Sequence, residues 1–186
     1  MVETNDRKLP VGIQSFEEIR EQGCLYVDKT DIIWQLVNKG KKYNYLSRPR
    51  RFGKSVLVDT LESYFLGKKE LFEGLKIMQL ETEWVKRPVI RLDMSRAGAE
   101  PESIQSYLDY TFQKYESLYE IEVSNDSSLA TRLSEIVRIA YEQTGQQVAI
   151  LIDEYDSPLQ RSWKTPLYEK CTAIYRDVFV LSLIHI

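Results

Sequence analysis

Histidine and cysteine are scarce in this chain of 186 residues, which contains one histidine, His185, and two cysteines, Cys24 and Cys171. A single histidine excludes zinc sites built from several histidines and argues against Ser-His-Asp catalysis. Two cysteines so far apart in sequence predict neither a disulfide framework nor a cysteine-rich metal knuckle. Composition therefore argues against metal sites and nucleophiles that depend on histidine or cysteine.

Long apolar runs are also missing. No run approaches the roughly 20 residues of a membrane span, and the N-terminal MVETNDRKLP lacks the apolar core of a signal peptide. With 25 Lys and Arg against 28 Asp and Glu, the formal net charge is −3, and 43% of the residues are hydrophobic. This balance excludes an intrinsically disordered chain. We expect a soluble cytoplasmic protein that does not contact membranes.

The periodicity of the chain alternates between helix and strand. It predicts strands at 43–47, 88–93 and 147–153, and helices at 15–23, 30–40, 54–65, from 101 onward, 128–143 and 165–178. The run 147–153 is apolar on both faces, as a central parallel strand requires. The expected class is α/β, with a mostly parallel sheet and helices on both faces. We expect residues 1–42 to form a helical lead-in packed on a core of residues 43–186.

A candidate phosphate loop, or Walker A motif, occupies residues 47–55 (SRPRRFGKS), between a predicted strand and a predicted helix. Gly53 allows a close backbone approach, Lys54 reaches the outer phosphates, and the hydroxyl of Ser55 suits Mg²⁺. Backbone N–H groups at a helix N-terminus favour anions. The first glycine of the GxxxxGK[ST] pattern is replaced by Arg48, which removes one residue that readily adopts positive φ.

Seven basic residues and no acidic one lie between Lys39 and Lys54. One hypothesis is that Arg50 and Arg51 clamp phosphates by bidentate hydrogen bonds; the alternative is a solvated edge of the loop. A second function class is a nucleic-acid-binding or scaffold module that uses residues 39–54 without hydrolysis. Its weakness is the small number of local aromatics for base stacking: Tyr43, Tyr45 and Phe52.

The end of the third predicted strand has the form of a Walker B motif. Five apolar residues, 148–152, precede Asp153 and Glu154. A carboxylate here suits the water shell of Mg²⁺, and its neighbour suits the general base that orients the attacking water. The alternative is that Asp153 caps the following segment and Glu154 is a surface acid.

Four blocks together resemble the bacterial AAA-ATPase-like proteins: residues 9–20 (LPVGIQSFEEIR), 26–30 (YVDKT), 46–57 (LSRPRRFGKSVL) and 150–156 (ILIDEYD). Members of that family share the RPRRFGKS loop, so the resemblance makes Arg48 a family feature. It implies a three-layer P-loop sheet, ATP as the bound nucleotide and Mg²⁺ as the metal. The candidate residues are Arg50, Arg51, Phe52, Gly53, Lys54 and Ser55 for nucleotide binding, Ser55 and Asp153 for the metal, and Lys54 and Glu154 for catalysis.

The resemblance also concerns the end of the chain. Longer members continue through a strand with a polar sensor residue, and many carry a C-terminal nuclease-like domain of the PD-(D/E)XK type. Residues 179–186 (FVLSLIHI) do not resemble that continuation. We therefore expect a core truncated at the C-terminal edge of its sheet, with ATP hydrolysis a property of the intact protein. The resemblance implies neither a substrate for ATP-driven work nor an oligomeric state.

Four further residues have two interpretations each. Tyr26 either contacts adenine or belongs to a turn that starts a helix at Thr30. Arg161 and Lys164 are either arginine-finger-like groups for a neighbouring subunit or surface charges. Asp156 is either a second acid near the site or the cap of the segment that starts at Ser157.

Overall fold

A computed structural model describes residues 8–40, 43–46, 52–123 and 127–181. They divide into two compact units, one ending at Lys86 and the other starting at Arg87, which we call the N-terminal unit and the C-terminal unit. The expected boundary between a lead-in and a core at residues 42 and 43 stays a prediction.

The N-terminal unit is helical where it is described. Its helices are α1 (Phe16–Glu21), α2 (Thr30–Lys39) and α3 (Lys54–Phe65), and two 3₁₀ turns follow at Lys69–Phe72 and Lys76–Gln79. Ser15 begins α1 as the capping-box spacing predicts, because its hydroxyl accepts from the N–H of Glu18 at 3.3 Å. All three predicted helices are confirmed.

Aromatic side chains form much of the core of this unit. Phe16 and Phe72 are fully buried, with ring centroids 5.0 Å apart, and the ring of Trp84 lies 5.1 Å from that of Phe72. Ile33 of α2 and Ile77 of the second 3₁₀ turn are also buried. The short helix α1 thus contributes its first residue to a packed core, and this fixes the helix although it has fewer than two turns.

The C-terminal unit contains two parallel strands, β1 (Val89–Asp93) and β2 (Ala149–Asp153), whose residues pair in register from Val89 with Ala149 to Asp93 with Asp153. Its helices are α4 (Pro101–Leu118), α5 (Leu129–Thr144), α6 (Ser157–Ser162) and α7 (Tyr168–Tyr175), with a 3₁₀ turn at Met94–Arg96 and a π-helical turn at Arg176–Leu181. Helices α4 and α5 lie between β1 and β2 in the chain, and two parallel strands require a long connection of this kind.

The core of the C-terminal unit lies between the sheet and the two long helices. Ile90 and Leu92 of β1 are fully buried. They belong to one cluster with side chains that are also inaccessible to solvent, namely Ile104, Leu108 and Phe112 of α4 and Leu133 and Ile136 of α5. The four-residue spacing in α4 therefore predicts the buried face correctly.

A buried charged group joins α4 to α5. Arg132 is 9% exposed and donates to both carboxylate oxygens of Glu116, at 2.6 and 2.7 Å, and also to Asp109. These hydrogen bonds, that of Glu116 first, raise the pKa of Arg132 above its ordinary value against the effect of burial. The sequence indicates that Arg132 is buried, because it lies four residues before Ile136 on the apolar face of α5.

The predicted strand at 43–47 is not formed. Tyr43–Leu46 have no strand structure, and Ser47 lies outside the described residues. Tyr43 and Tyr45 would share one face of the strand and are 55% and 77% exposed, and Leu46 on the other face is 45% exposed, so neither face is buried over residues 43–46. A strand needs a hydrogen-bonded partner, and the described part of the N-terminal unit contains no strand.

The α/β class and the parallel pairing are confirmed, but the sheet is smaller than the predicted three-layer arrangement. Among the described residues it has two strands, and β2 pairs with β1 alone. Residues 149–152 of β2 are half-buried, whereas Val89, Ile90 and Leu92 of β1 are buried. The described sheet therefore places β2 at an edge, where the apolar run predicts a central strand.

The last predicted helix starts later than expected. Helix α7 begins at Tyr168 instead of Thr165, because the hydroxyl of Thr165 donates to the carbonyl of Ser162 at 2.6 Å and closes a turn first. Helix α6, just before it, is an additional short element. Within the described ranges, every helix is too short or too polar to cross a membrane.

Candidate functional site

Gly53 starts α3 in a left-handed conformation, with φ +71° and ψ 29°. Within the described residues no side chain caps this helix, and its first turn contains no acidic residue. The first N–H groups of a helix have no partner inside the helix, and with the helix dipole they favour an anion. Lys54 and Ser55 are the first two residues of α3, and Phe52 before them is 65% exposed. Arg50 and Arg51 lie outside the described residues.

Replacement of Gly53 tests this helix start. Among the described residues, no atom lies within 4 Å of a Cβ built on Gly53, so Gly53→Ala strains the backbone without a clash with them. We expect it to lower the free energy of unfolding by about 1–2 kcal/mol, and Gly53→Asn to lower it less, because asparagine tolerates the left-handed region. Urea denaturation measures both, with Gly74→Ala (φ +75°, equally open) as the matched control. Unchanged stability in Gly53→Ala alone would contradict the left-handed start.

Helix α3 is held from the side by α1 and by Tyr26. The N–H of Phe16 donates to Asp59 of α3 at 2.6 Å, and Lys68 just after α3 pairs with Glu17 at 2.7 Å. The hydroxyl of Tyr26 lies 3.3 Å from that of Thr60. Burial raises the pKa of Tyr26 above its ordinary value. Tyr26 therefore packs against α3, and its contact with adenine stays a hypothesis.

Asp28 and Thr30 of the YVDKT block form a hydrogen-bond network at the start of α2. The carboxylate of Asp28 accepts from the N–H and the hydroxyl of Thr30, at 3.0 and 2.7 Å, and from the N–H of Lys76 at 2.8 Å. The hydroxyl of Thr30 accepts from the N–H of Ile77 at 3.1 Å. Partial burial raises the pKa of Asp28, but the hydrogen bonds outweigh this and leave it below its ordinary value. The interpretation as a turn and helix start is confirmed.

The acidic pair at the end of β2 lies in a tight turn. Asp153 is 6% exposed, and its Oδ1 accepts from the N–H of Glu154 at 2.9 Å. Glu154 has φ +48°, which is strained for a residue with a Cβ, and its carbonyl accepts from the N–H of Ser157 at 2.9 Å. Asp153 does not cap α6, whose cap position is Asp156. The carboxylate of Asp156 instead accepts from Gln160 at 2.5 Å.

Sequence reasoning missed Asp93, a second carboxylate at the carboxyl ends of the two strands. It pairs in register with Asp153 at the carboxyl end of β1. Its oxygens accept from the N–H and hydroxyl of Ser95, at 3.1 and 2.6 Å, and from Arg96 at 3.1 Å. The sequence carries a signal for it, because β1 (VIRLD) and β2 (AILID) both end in aspartate after an apolar run. Asp93 therefore builds the turn that follows β1.

Arg161 of α6 has a partner that neither sequence interpretation included. Its guanidinium donates to the carbonyls of Ala97 at 2.9 Å and Ser95 at 3.0 Å. Arg161 is thus bonded to the loop after β1, and its role toward a neighbouring subunit stays a hypothesis. Lys164 lies exposed in the turn after α6.

No group of three or more His, Cys, Asp or Glu side chains that suits a metal ion occurs among the residues that the structure describes. Two features remain for chemistry: the glycine-led start of α3 and the acidic turn after β2. An α/β chain with these two features is of the ATPase-like class.

Comparison with known proteins gives the same class. The chain belongs to the family described as "Predicted AAA-ATPase", whose model matches residues 10–184. A curated relative from Azotobacter chroococcum mcd 1, described as "Uncharacterized protein in vnfD 5'region", is 37% identical over 156 residues. The match covers 82% of this chain and 30% of the relative, so the chain spans less than a third of the relative's length. No solved structure matches.

Proposed function

We propose that this chain is the ATP-binding domain of an AAA-ATPase-like protein and that the intact protein hydrolyses ATP with Mg²⁺. The observation that carries the proposal is the start of α3 at Gly53, left-handed, open to approach and followed by Lys54 and Ser55. Family membership over residues 10–184 supports it. We also propose that β1 and β2 belong to a wider parallel sheet of the P-loop type.

The proposed roles at α3 follow from charge and from helix geometry. The N–H groups of the first turn bind the phosphate oxygens, and the Nζ of Lys54 neutralises the outer phosphates. Phe52 is exposed just before the loop's glycine and shields the phosphates from one side. Arg50 and Arg51 are proposed to add bidentate hydrogen bonds to the same group.

The proposed metal ligands are the hydroxyl of Ser55 and the carboxylate of Asp153. Both are hard oxygen ligands, and Mg²⁺ beside a nucleotide takes one or two protein oxygens together with phosphate and water. Asp153 is buried, with Oδ1 bonded to the N–H of Glu154, so its carboxylate has a fixed direction. The metal, when bound, neutralises charge on the phosphates.

Glu154 is the proposed general base. Its carboxylate accepts a proton from the water that attacks the γ-phosphate, while Lys54 and the N–H groups of α3 stabilise the charge on the transferring phosphoryl group. The strained backbone of Glu154 supports this role, because strain of this kind is concentrated at functional sites.

Calorimetric titration of Mg-ATP into the parent chain and into Lys54→Ala tests the phosphate loop. We expect the parent to bind and Lys54→Ala to bind at least about a hundredfold more weakly, because the phosphates lose a charge-assisted hydrogen bond. Lys69→Ala is the matched control, since Lys69 is an exposed lysine of the same unit outside the proposed site. It should bind as the parent does.

Two outcomes would contradict the proposal. Equal affinity in the parent and in Lys54→Ala would show that Lys54 does not bind phosphate as proposed. No binding in any of the three chains would show that ATP is not the ligand. A titration with single-stranded DNA then tests the basic segment 39–54. Affinity that falls steeply with salt and ignores Mg-ATP would favour a nucleic-acid-binding module.

A further inference from the structure

Arg161 links two segments that are far apart in the sequence. Its two hydrogen bonds, at 2.9 and 3.0 Å, reach backbone carbonyls 64 and 66 residues earlier in the chain, those of Ala97 and Ser95. Arg161 itself lies in the second half of α6, a helix of six residues. An exposed arginine usually keeps its guanidinium in water, so two fixed backbone acceptors indicate a structural task.

The two linked segments are the ones that follow the paired strand ends. Ser95 and Ala97 belong to the turn after β1, which Asp93 caps. Helix α6 follows the turn after β2, which contains Asp153 and Glu154. Because Asp93 and Asp153 are in register, Arg161 connects the two loops just beyond the same edge of the sheet.

The turn after β2 needs such a restraint. Glu154 at φ +48° is in a sparsely populated conformation, which persists only where the surroundings fix it. Its own hydrogen bonds, with Asp153 and with the N–H of Ser157, close the turn locally. The ring of Tyr155, the next residue, packs on Tyr175 and Phe179, and the bonds of Arg161 add a link from α6 to the turn after β1.

We propose that Arg161 is a positioning residue that clamps the Asp153–Glu154 turn to the end of β1 and so fixes the direction of the Glu154 carboxylate. The effect on catalysis rests on the proposed role of Glu154 as general base, whereas the clamp itself does not. Arginine suits this task because its planar fork serves two acceptors at once, and lysine offers a single point of charge. Lysine should therefore restore little of the effect.

Amide hydrogen exchange in this chain and ATP turnover of the intact protein, each with Arg161→Ala and with Arg161→Lys, test the clamp. In Arg161→Ala we expect exchange at residues 94–99 and 153–160 to become at least about tenfold faster, with α4 and α5 unchanged. We expect kcat to fall by about ten- to a hundredfold at unchanged KM for Mg-ATP. Arg138→Ala is the matched control, because Arg138 binds Glu135 and Glu142 of its own helix and links no loops.

The outcomes separate the clamp from the proposed function. Unchanged exchange at 153–160 in both Arg161 variants overturns the proposal, as does unchanged kcat in an active parent whose exchange at 153–160 is accelerated. If the intact parent protein lacks ATP turnover, the proposed function fails, while the exchange measurement still decides the clamp. Arg161→Lys keeps the experiment decisive if Arg161→Ala does not fold.

Discussion

In the intact protein, Glu154→Gln is expected to bind Mg-ATP with the affinity of the parent and to hydrolyse it about 100- to 10,000-fold more slowly, the usual contribution of a general base. Glutamine has nearly the shape of glutamate, but its amide does not accept a proton at neutral pH. Binding by calorimetry and phosphate release under single-turnover conditions separate the two steps. The expected result is a loss in kcat alone.

The control for this prediction is another glutamate of the same unit. Glu135 lies half-exposed on α5 and pairs with Arg138, so Glu135→Gln should leave turnover unchanged. Parental turnover in Glu154→Gln would show that Glu154 is not the base. Loss of Mg-ATP binding in Glu154→Gln would show that the carboxylate acts in binding, and the division of roles between Asp153 and Glu154 would then be wrong.

The second large effect concerns stability and the buried group between α4 and α5. Arg132→Met is expected to lower the free energy of unfolding by about 3–5 kcal/mol. The reason is that Glu116, with 8% of its side chain exposed, would keep a buried charge without its bidentate partner. Chemical denaturation followed by circular dichroism measures the change, with the slope of the transition as the check on two-state behaviour.

A double variant distinguishes the loss of a partner from the loss of packing. Arg132→Met with Glu116→Leu removes the two buried charges and leaves Asp109, which is half-exposed, so the stability should return close to that of the parent. Arg138→Ala should cost far less, because Arg138 and its two glutamates are all half-exposed. If Arg132→Met were as mild as Arg138→Ala, the buried ion pair would contribute no more than a surface pair.

The helices were predictable because their signals are local. Ser15 and Ser128 cap α1 and α5 from one turn away, at 3.3 and 3.1 Å, and the buried face of α4 follows from a four-residue repeat. The candidate phosphate loop is local in the same sense, since Gly53, Lys54 and Ser55 are neighbours in the chain. Such features need no knowledge of the tertiary structure.

Three features that sequence reasoning missed or predicted wrongly depend on distant partners. The segment 43–47 has a strand pattern, but a strand forms only where another strand accepts its hydrogen bonds. Arg161 binds two carbonyls, and a carbonyl carries no residue type by which a sequence could reveal it. Arg132 and Glu116 lie on different helices, 16 residues apart, and only the packing of α4 on α5 identifies them as partners.

The register of the two strands couples the burial of the core to the alignment of Asp93 with Asp153. Because side chains alternate between the two faces of a strand, a slip of one residue would turn Ile90 and Leu92 out of the core and carry Asp93 past Asp153 at the same time. A misaligned chain therefore loses its hydrophobic stabilisation together with its acidic edge. The burial of Ile90 and Leu92 and the alignment of Asp93 with Asp153 therefore depend on the same register.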